Sequence, residues 1–506
     1  MKAGIAVRPS DLWRWDGKVD RGPYLLIGSV LLTFKFFLDR FVSATFFGRH
    51  WSIFDYVVPA RAFDLASFPE SELKFYGTML LISLPFAWTG CVLTIRRLRA
   101  CQFPPWLVLL FFVPAVNLIL FKVLLWTPTK HEEEHLSLKG PQKQAGWSVL
   151  PAEIEEPVSE MPSIAGAYGL AAREKERGLA ASVRNTLDRV IPEDTVGSAV
   201  FAVLSPLPFA AAITFFCISV LKSYGWGLFV ALPFVLPLVS VLLFGYRQPR
   251  PMRECLILGW CSVTILAVVL FCIAIEGAIC LVMALPLAWL VATMGAALGY
   301  LIQNRPMKAI ETTRMLLALA VSVPVLMGAE YADRPQAPLY AVRTGVDVAA
   351  PAHVVWRNVV SFAKIDEPLD WLFRLGIAYP IKAEIFGRGP GAIRHCTFST
   401  GTFVEPIQVW HEPELLKFSV TAQPEPMTEL SFDPRLHPPH LDNYLVSRGG
   451  QFRLTRLAPG STRLEGTTWY QHHMWPAAYW QVWSDFIIHR IHTRVLNHIK
   501  ALAERT

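Results

Sequence analysis

Eight long apolar stretches occupy most of the first 330 residues of this chain. Each is about 20 residues long, which is enough for a helix to cross the roughly 30 Å hydrocarbon core of a bilayer. Charged residues make up 17% of the 506-residue sequence, against about 25% in a typical soluble protein. The sequence therefore predicts a polytopic α-helical membrane protein with seven or eight apolar segments, and it excludes a wholly soluble enzyme, a disordered chain and a disulfide scaffold. The stretches span residues 23–46, 76–95, 104–126, 198–221, 226–246, 256–275, 278–301 and 314–330.

Basic residues cluster in four places beside these segments, and positively charged loops generally stay in the cytoplasm. The clusters are Lys2 to Arg21 before the first segment, Arg96 to Arg99 after the second, Arg247 to Arg253 after the fifth, and Arg305 to Arg314 after the seventh. Eight simple crossings cannot place all four clusters in the cytoplasm. We expect the segment 104–126, with Pro114 near its centre, to form a re-entrant hairpin. Seven crossings then place the C-terminal third outside the cytoplasm.

Residues 12–126 contain two short motifs, Trp15-Asp-Gly-Lys-Val-Asp-Arg21 and Arg96-Arg97-Leu98, followed by Pro105-Trp106. In these motifs the segment resembles a short bacterial inner-membrane family of unknown function that carries an Arg-Arg-Leu-His-Asp motif. Here Arg99 and Ala100 stand where that family has His-Asp. The resemblance implies a multi-pass protein of the bacterial inner membrane, and it implies no activity.

Charged residues within or between the apolar segments have alternative interpretations. Lys35 and Asp39 are four residues apart, so they can form an intramembrane ion pair on one helix face, which would suggest a relay or transport role. The favoured interpretation is that the helix ends near Leu38 and that both residues lie at the membrane interface. Glu276, between the sixth and seventh segments, is predicted to lie in a tight interfacial turn.

The chain divides by composition into four parts. Residues 1–126 form a first membrane domain of about three apolar segments, and residues 127–197 form a polar linker with one amphipathic helix. Residues 198–332 form a second membrane domain of about five helices, and residues 339–506 are long enough for a domain with its own core. The net charge of +7, from 47 basic and 40 acidic residues, is accounted for by the loops and indicates no nucleic-acid partner.

The C-terminal third has the pattern of an α+β domain. A strand over 339–349 is followed by helical patterns at 351–362 and 367–378, by a run of alternating strand patterns, and by one long helix over about 476–504. Apolar residues recur along that last helix at helical spacing, so it would cover a sheet. This order of elements predicts a helix-grip fold.

Three runs in this third, 346–356, 450–456 and 462–470, together with the terminal helix, resemble the START-like superfamily, which includes polyketide cyclases and lipid-transfer domains. The resemblance covers about a third of the chain. It implies a deep apolar cavity between sheet and helix that holds a lipid or another hydrophobic small molecule. The superfamily has no universal catalytic motif, so the resemblance implies no catalytic residue, and we expect a binding module rather than an enzyme.

Strand alternation indicates which residues would line that cavity. Residues of one parity on the predicted strands would face the long helix, and two helix residues would face them in return. A packed core would use the same residues, so both interpretations stay open. The candidates are Phe398, Phe418, Val420, Phe452, Leu454, Thr468 and Tyr470 on the strands, and Trp483 and Ile487 on the helix.

A second set of residues could supply acid–base chemistry in the same domain. Asp485, His489 and His492 are spaced i, i+4 and i+7 on the final helix, and Tyr470 and His472 precede it. A solvated polar helix face is the favoured interpretation of the first three. No nucleotide-binding or metal-binding motif is present, so the sequence predicts no metal and no cofactor.

The leading functional hypothesis is a membrane-tethered domain that binds a membrane lipid or another hydrophobic small molecule. One alternative is a membrane-bound enzyme in which Asp485, His489, His472 or Tyr470 moves protons in the same cavity. Another is a transporter with the Lys35 and Asp39 pair on its path. The Pro-rich segment 424–444 is either a lid or a solvent-exposed insertion, and the oligomeric state is left open.

Overall fold

A computed structural model describes residues 13–51, 56, 70–113, 115–127, 129, 182, 185–304, 309–333, 337–433 and 435–505. Most of the predicted polar linker, including the greater part of its amphipathic helix, lies outside the described residues. The basic residues Lys2, Arg8, Arg305 and Lys308 also lie outside them.

The predicted first membrane domain contains two long helices and a broken third segment. Helix α1 spans Arg21–Phe47 and α2 spans Glu70–Ala100; a 3-10 helix over Pro105–Phe112 and α3 over Val116–Trp126 follow. Ala115 has a φ of 64° between the two short helices. The 11 residues of α3 reach only about 17 Å, roughly half of a hydrocarbon core.

Both ends of the 104–126 segment lie beside the end of α2. The Arg97 guanidinium donates hydrogen bonds to the carbonyl oxygens of Leu124, at 2.9 Å, and Thr127, at 2.5 Å. Arg97 is itself only four residues before the loop that leads into the segment. The segment therefore begins and ends at the same end of α2.

Among the described residues, the predicted second membrane domain contains six further helices, two of them extended by π-helical turns. They are α4 (Thr195–Leu204), α5 (Leu207–Phe215, continued by a π-helix over Phe216–Leu221), α6 (Leu232–Phe244, preceded by a π-helix over Gly227–Ala231), α7 (Met252–Cys272), α8 (Ala278–Gln303) and α9 (Ala309–Asp333). Helix α6 is the central one, because most of its residues are buried. Gly295 on α8 allows close packing against it, since a Cβ there would lie 2.2 Å from the Phe234 carbonyl oxygen.

Within the described part of the chain, six helices are long and apolar enough to cross a membrane. They span Lys74–Ala100, Thr195–Leu221, Gly227–Phe244, Met252–Cys272, Ala278–Gln303 and Met315–Asp333. All of them coincide with predicted apolar segments, which agrees with a multi-pass membrane protein. Helix α1 is not among the six.

The C-terminal domain contains one antiparallel sheet of seven strands in the order β1-β7-β6-β5-β4-β3-β2. The strands are β1 (Tyr340–Val348), β2 (Pro380–Phe386), β3 (Ile393–Phe398), β4 (Gly401–His411), β5 (Leu415–Ser419), β6 (Leu445–Ala458) and β7 (Ser461–His472). Two short helices, α10 (Ala352–Val360) and α11 (Trp371–Arg374), connect β1 to β2, and the long α12 (Ala477–Glu504) packs against the sheet. The predicted helix-grip arrangement is thereby confirmed.

The helix-grip domain is docked on one end of the second membrane domain. Trp475 and Trp480, at the start of α12, belong to the same hydrophobic core as the bundle helices. The Trp475 amide donates to the Tyr224 carbonyl oxygen at 2.9 Å, and the Ala278 amide donates to the Leu430 carbonyl oxygen at 2.9 Å. Burial of apolar surface therefore holds the two domains together.

Residues 424–444, which we call the junction loop, take part in this contact. Met427 and Leu441 are buried in one cluster with Ile279 of α8. The alternative that this segment is a solvent-exposed insertion is therefore wrong. Met427 and Leu441 find some of their partners on α8, which the spacing of strands could not reveal.

The basic loop after α6 lies at the opposite end of the bundle. Helix α8 begins at Ala278, beside the helix-grip domain, and ends at Gln303. The Gln303 side-chain amide donates to the Arg250 carbonyl oxygen at 2.7 Å. Arg247 at the same end donates to the Ile191 carbonyl oxygen at 2.7 Å. The helix-grip domain and these arginines are thus separated by the length of α8.

Candidate functional site

Five polar side chains from three parts of the chain meet where the helix-grip domain contacts the bundle. We call them the junction cluster: Tyr224 between the two π-helices, Glu276 in the turn before α8, Cys280 in the first turn of α8, and Glu429 and His440 in the junction loop. Glu276, Cys280 and His440 are at most 5% exposed, and the Glu429 side chain is fully buried. Buried polar groups of this kind must find partners or incur a large desolvation cost.

His440 lies between two carboxylates. Its Nδ1 atom is 3.2 Å from Glu276 Oε2, and its Nε2 atom is 3.2 Å from Glu429 Oε1. The Tyr224 hydroxyl donates to Glu276 Oε1 at 2.5 Å. The imidazole therefore links the turn before α8 to the junction loop.

The N-terminus of α8 positions Glu429. Its carboxylate accepts hydrogen bonds from the amides of Ile279, at 3.1 Å, and Cys280, at 3.2 Å, amides that have no partner within the helix. Gly277 allows this approach, because a Cβ there would lie 2.1 Å from Glu429 Oε2. The positive end of the α8 dipole also stabilises the negative charge.

The carboxylates set the protonation of the histidine. Burial lowers the pKa of His440, but interactions with the adjacent carboxylates of Glu276 and Glu429 outweigh burial and raise that pKa to about 9. Burial, together with the nearby Glu276 charge, raises the pKa of the Tyr224 phenol. In the absence of another cation, this environment favours the imidazolium form at neutral pH.

An apolar cavity of about 90 Å³ lies in the bundle and ends on this cluster. It is partly open, and its lining is almost wholly apolar. Its polar side chains are Thr214, Tyr224, Glu276 and Cys280; the apolar ones are Ile218, Leu228, Phe229, Leu232, Pro233, Val263, Leu266, Ala267, Leu270, Leu281, Ala284, Leu285 and Ala288. The cavity therefore has an apolar body and one polar end.

Five of the seven predicted ligand-wall residues on the strands share a core with α12 or contact it directly. Phe418, Phe452 and Leu454 belong to the buried core of the helix-grip domain, together with helix residues such as Leu496. Phe398 packs at the edge of that core, and Val420 is half-buried. Thr468 and Tyr470 make polar contacts with α12. The alternation therefore identified the helix-facing side of these strands.

The two predicted wall residues on α12 face elsewhere. Trp483 packs against the cluster that contains Trp480 and the bundle helices. Ile487 is buried with Ile279 and Met427 at the junction. The expectation that they face the strand residues is wrong, because the first turns of α12 also cover the membrane domain.

The acid–base candidates lie between α12 and the sheet. The Tyr470 hydroxyl donates to Asp485 Oδ1 at 2.5 Å, and Thr468 Oγ1 is 2.7 Å from His492 Nε2. The favoured interpretation of a solvated polar helix face is therefore wrong for Asp485 and His492. His489 is exposed, although its Nδ1 lies 2.9 Å from the hydroxyl of Thr344. Burial raises the pKa of Asp485 and lowers that of His492 to about 4.

His472 is also buried, and the structure brings its ring near those of Tyr340 and Tyr470. Its ring stacks on Tyr340, with centroids 5.1 Å apart and an interplanar angle of 8°, and lies 6.3 Å from the Tyr470 ring. Burial lowers the pKa of His472 to about 4. The ring is therefore neutral at physiological pH.

Lys35 and Asp39 form a buried ion pair on α1. The Tyr56 hydroxyl donates to Asp39 Oδ2 at 2.6 Å. The interpretation in which the helix ends near Leu38 is wrong, because α1 continues to Phe47. The pair therefore sits within a helix and not beyond its end.

A second buried ion pair, which the sequence did not indicate, lies inside the helix-grip domain. Arg394 on β3 pairs with Glu405 on β4, its direct cross-strand neighbour. The guanidinium also lies 5.5 Å from the ring centroid of Phe418 and 5.4 Å from that of Phe452. The Arg394 Nε atom is buried without a hydrogen-bond partner.

Sequence reasoning also missed most of the junction cluster. Glu276 was singled out, but only as part of a turn, and it does lie between α7 and α8. Tyr224, Cys280, Glu429 and His440 share no spacing in the sequence. The available signals were a carboxylate between two apolar segments and a histidine directly after Pro438-Pro439.

No family model matches this chain, and no curated protein is significantly similar to it. Among solved structures, the Zhui aromatase/cyclase from Streptomyces sp. R1128 is 17% identical, with 33% of this chain and 95% of that chain covered and a TM-score of 0.24. Norcoclaurine synthase from Thalictrum flavum, in complex with dopamine and hydroxybenzaldehyde, is 16% identical, with 33% and 88% covered and a TM-score of 0.23. Ara h 8.0201 is 12% identical, with 33% and 100% covered and a TM-score of 0.21.

These comparisons correct one prediction. The solved structures that resemble the C-terminal third include an aromatase/cyclase and a synthase, so the expectation of a binding module rather than an enzyme is not upheld. The absence of a shared catalytic motif does not distinguish binding from catalysis on this fold, since one fold supports many site chemistries. The resemblance of the C-terminal third to helix-grip folds is confirmed, and the resemblance of residues 12–126 to an inner-membrane family stays a prediction.

Proposed function

We propose that this protein takes a hydrophobic small molecule from the bilayer into the bundle cavity, with the polar group of that molecule against Tyr224 and Glu276. The observation that carries the proposal is the apolar, partly open cavity that ends on the buried junction cluster. Binding sites of this kind combine apolar walls with a few convergent polar groups that fix orientation. A lipid or a lipid-like molecule with one hydroxyl, carbonyl or amine group has the matching chemistry.

The size of the cavity limits how much of the ligand it holds. Its volume of about 90 Å³ is well below the roughly 300–1,000 Å³ of sites that enclose a drug-sized molecule. We infer that the cavity receives the polar end and a few adjoining carbons. The remainder of the ligand would lie along the apolar outer face of the helices, where it stays in contact with lipid.

The position of the helix-grip domain supports a specific orientation in the membrane. The domain lies at one end of α8, and Arg247 and Arg250 lie with Gln303 at the other. Because basic loops generally stay in the cytoplasm, we propose that the domain and the junction cluster lie on the outer side of a bacterial inner membrane. The ligand would then be drawn from the outer half of that bilayer.

Catalysis on the bound molecule is a second candidate function. The polar end of the cavity presents a phenol, a carboxylate and a thiol, with an imidazole directly behind the carboxylate. These are the group types that transfer protons or attack substrates in enzymes. Incubating membranes that contain the wild-type chain with a lipid extract, and following masses by chromatography and mass spectrometry, tests this. A mass change that Glu276→Gln abolishes supports it, and identical profiles contradict it.

The concave face of the helix-grip sheet remains a proposed second site for the same class of ligand. Phe418 and Phe452 of the predicted ligand wall surround the Arg394 and Glu405 pair. A buried guanidinium with an unpartnered Nε atom could hold the polar group of an apolar molecule. Retention of ligand after this pair is replaced by apolar residues would contradict the second site while leaving the first intact.

The test of the main site uses the full chain purified in detergent. Ala284 lines the cavity one helical turn beyond Cys280, so Ala284→Trp would fill the space. Val282 on the same helix is 62% exposed, and Val282→Trp is the matched control. We expect organic extracts of the wild-type and control proteins to contain the same hydrophobic compound, and extracts of Ala284→Trp to lack it. Equal recovery from all three proteins would contradict the proposal, provided that all three melt at similar temperatures.

A further inference from the structure

The junction cluster contains the donor set of a metal site. Glu276, Cys280 and His440 each present one ligand atom, these three atoms lie within 4.8 Å of one another, and all three residues are buried. Carboxylate oxygen, thiolate sulfur and imidazole nitrogen are the ligands of zinc in proteins. We propose that Glu276, Cys280 and His440 bind a zinc ion.

Two of the ligand atoms are placed for coordination and not for a hydrogen bond. His440 Nδ1 and Glu276 Oε2 are 3.2 Å apart, yet both are buried atoms without an aligned hydrogen-bond partner. Tetrahedral ligands at about 2.1 Å from a zinc ion are separated by about 3.4 Å. The observed separation is close to that distance, and Cys280 Sγ lies within 4.8 Å of a ligand atom of each of the other two residues.

The outer contacts are those that metal-binding residues need. A histidine ligand generally donates its second ring N–H to a carboxylate, which fixes the tautomer and the ring orientation. Here Glu429 Oε1 lies 3.2 Å from His440 Nε2, so Nδ1 is left to face Glu276. The Tyr224 hydroxyl holds the second oxygen of Glu276.

Charge also favours a cation at this position. Among the described contacts, the ion pairs of Glu276 and Glu429 both involve His440. One imidazolium cannot neutralise two buried carboxylates, whereas buried charges are generally paired or bound to metals. A zinc ion would replace the proton on Nδ1 and balance the second carboxylate.

The remaining coordination position would face the bundle cavity. Tyr224, Glu276 and Cys280 all line its polar end. Zinc sites with three protein ligands and one open position bind water or the polar group of a ligand there. The inference goes beyond the proposed function and does not depend on it, because metal binding can be measured with no hydrophobic ligand.

The test is metal analysis of the full chain, purified without chelators and then dialysed against buffer with zinc. We expect about one zinc per wild-type chain, and zinc at background level in Glu276→Gln, Cys280→Ser and His440→Gln. Cys396→Ser, which removes a buried cysteine of the helix-grip domain, is the matched control and should keep its zinc. Glu429→Gln should retain the site with affinity reduced about 10- to 100-fold.

Cobalt substitution separates loss of the site from loss of folding. Cobalt bound to a thiolate gives a charge-transfer absorption band in the near ultraviolet, and we expect this band in the wild type and in Cys396→Ser. Cys280→Ser should lose the band while it keeps the melting temperature of the zinc-free wild type. Wild-type protein that takes up neither zinc nor cobalt would overturn the proposal, as would equal zinc in all of the ligand variants.

Discussion

His440 Nδ1 in the junction loop lies 3.2 Å from Glu276 Oε2 in the turn between α7 and α8. This contact joins a loop of the helix-grip domain to the membrane bundle at the polar end of the cavity. It couples three properties of the protein, because Glu276 lines the cavity, His440 lies directly behind it, and both side chains contribute to domain docking and to the electrostatics of the site. Perturbing either residue should therefore affect stability and ligand binding together.

Removal of the imidazole should destabilise the protein strongly. His440→Gln leaves Glu276 and Glu429 buried without a cationic partner, and breaking a buried charge pair costs about 3–5 kcal/mol. His437→Gln is the control in the same loop, because the ion pairs of His437 with Glu425 and Asp442 are exposed and such pairs contribute about 1 kcal/mol or less. Thermal unfolding of both full-length variants in detergent measures the difference, and equal melting temperatures would contradict it.

The Arg394 and Glu405 pair should behave as a coupled unit. Each single change, Arg394→Met or Glu405→Leu, leaves one buried charge and should cost about 3–5 kcal/mol, whereas the double variant should recover most of that loss. Denaturant unfolding of the four proteins completes a double-mutant cycle. Additive losses would show that the two residues do not interact in the folded protein.

Stability should fall in mild acid because of His472. Burial lowers its pKa from the ordinary 6.5 to about 4, so the unfolded chain takes up a proton at a pH where the folded one does not. The stability that the protein gains from keeping the His472 ring neutral is complete above about pH 6.5 and is lost as the pH falls towards 4. The free energy of unfolding falls by at most about 3 kcal/mol over this range because of His472. Three groups surround the ring, namely Tyr340, Tyr470 and His473. At neutral pH they carry no charge that would offset the effect of burial on the pKa of His472.

The measurement compares melting temperatures between pH 7 and pH 5 for the wild type and for His472→Phe. Phenylalanine keeps the stacking on Tyr340 and removes the titration, so the variant should show a smaller drop. His492, whose pKa burial also lowers to about 4, keeps part of the pH dependence in both proteins. Equal falls in melting temperature for the two proteins would show that His472 contributes nothing to the pH dependence of stability.

The two ends of the second membrane domain should face different compartments. Single cysteines are introduced as Asp366→Cys in the helix-grip domain and Gln248→Cys in the basic loop after α6, where both positions are exposed, in a chain without its native cysteines. An impermeant maleimide should label the first protein on intact spheroplasts and the second only after lysis. The reverse pattern would place the helix-grip domain in the cytoplasm.

Local patterns predicted much of the fold. Apolar length identified the six helices of the described chain that are long enough to cross a membrane, and the order of strand and helix patterns identified the helix-grip domain. The alternation of side chains along a strand also identified Phe452 and Leu454 as helix-facing, because this alternation is a property of each strand alone. Each of these features depends on residues that are close together in the sequence, so one sequence is enough to predict them.

The site depends on contacts between distant segments. Glu276 and His440 are 164 positions apart by number, and only the docking of the helix-grip domain brings them together. Asp485 and His492 were assigned to a solvated face, because helical spacing defines which residues share a face but not what covers it. Trp483 and Ile487 were placed against the sheet for the same reason, although the membrane domain covers them.

The most direct test of the proposed function is a cryo-electron microscopy map of the full chain in nanodiscs made from lipids of the native membrane. The proposal predicts elongated density between α5, α7 and α8 that enters the cavity and ends within hydrogen-bond distance of Tyr224 or Glu276. The Ala284→Trp protein, prepared in the same way, should lack that density. A wild-type map in which side chains close the cavity, or in which it contains only water, would contradict the account.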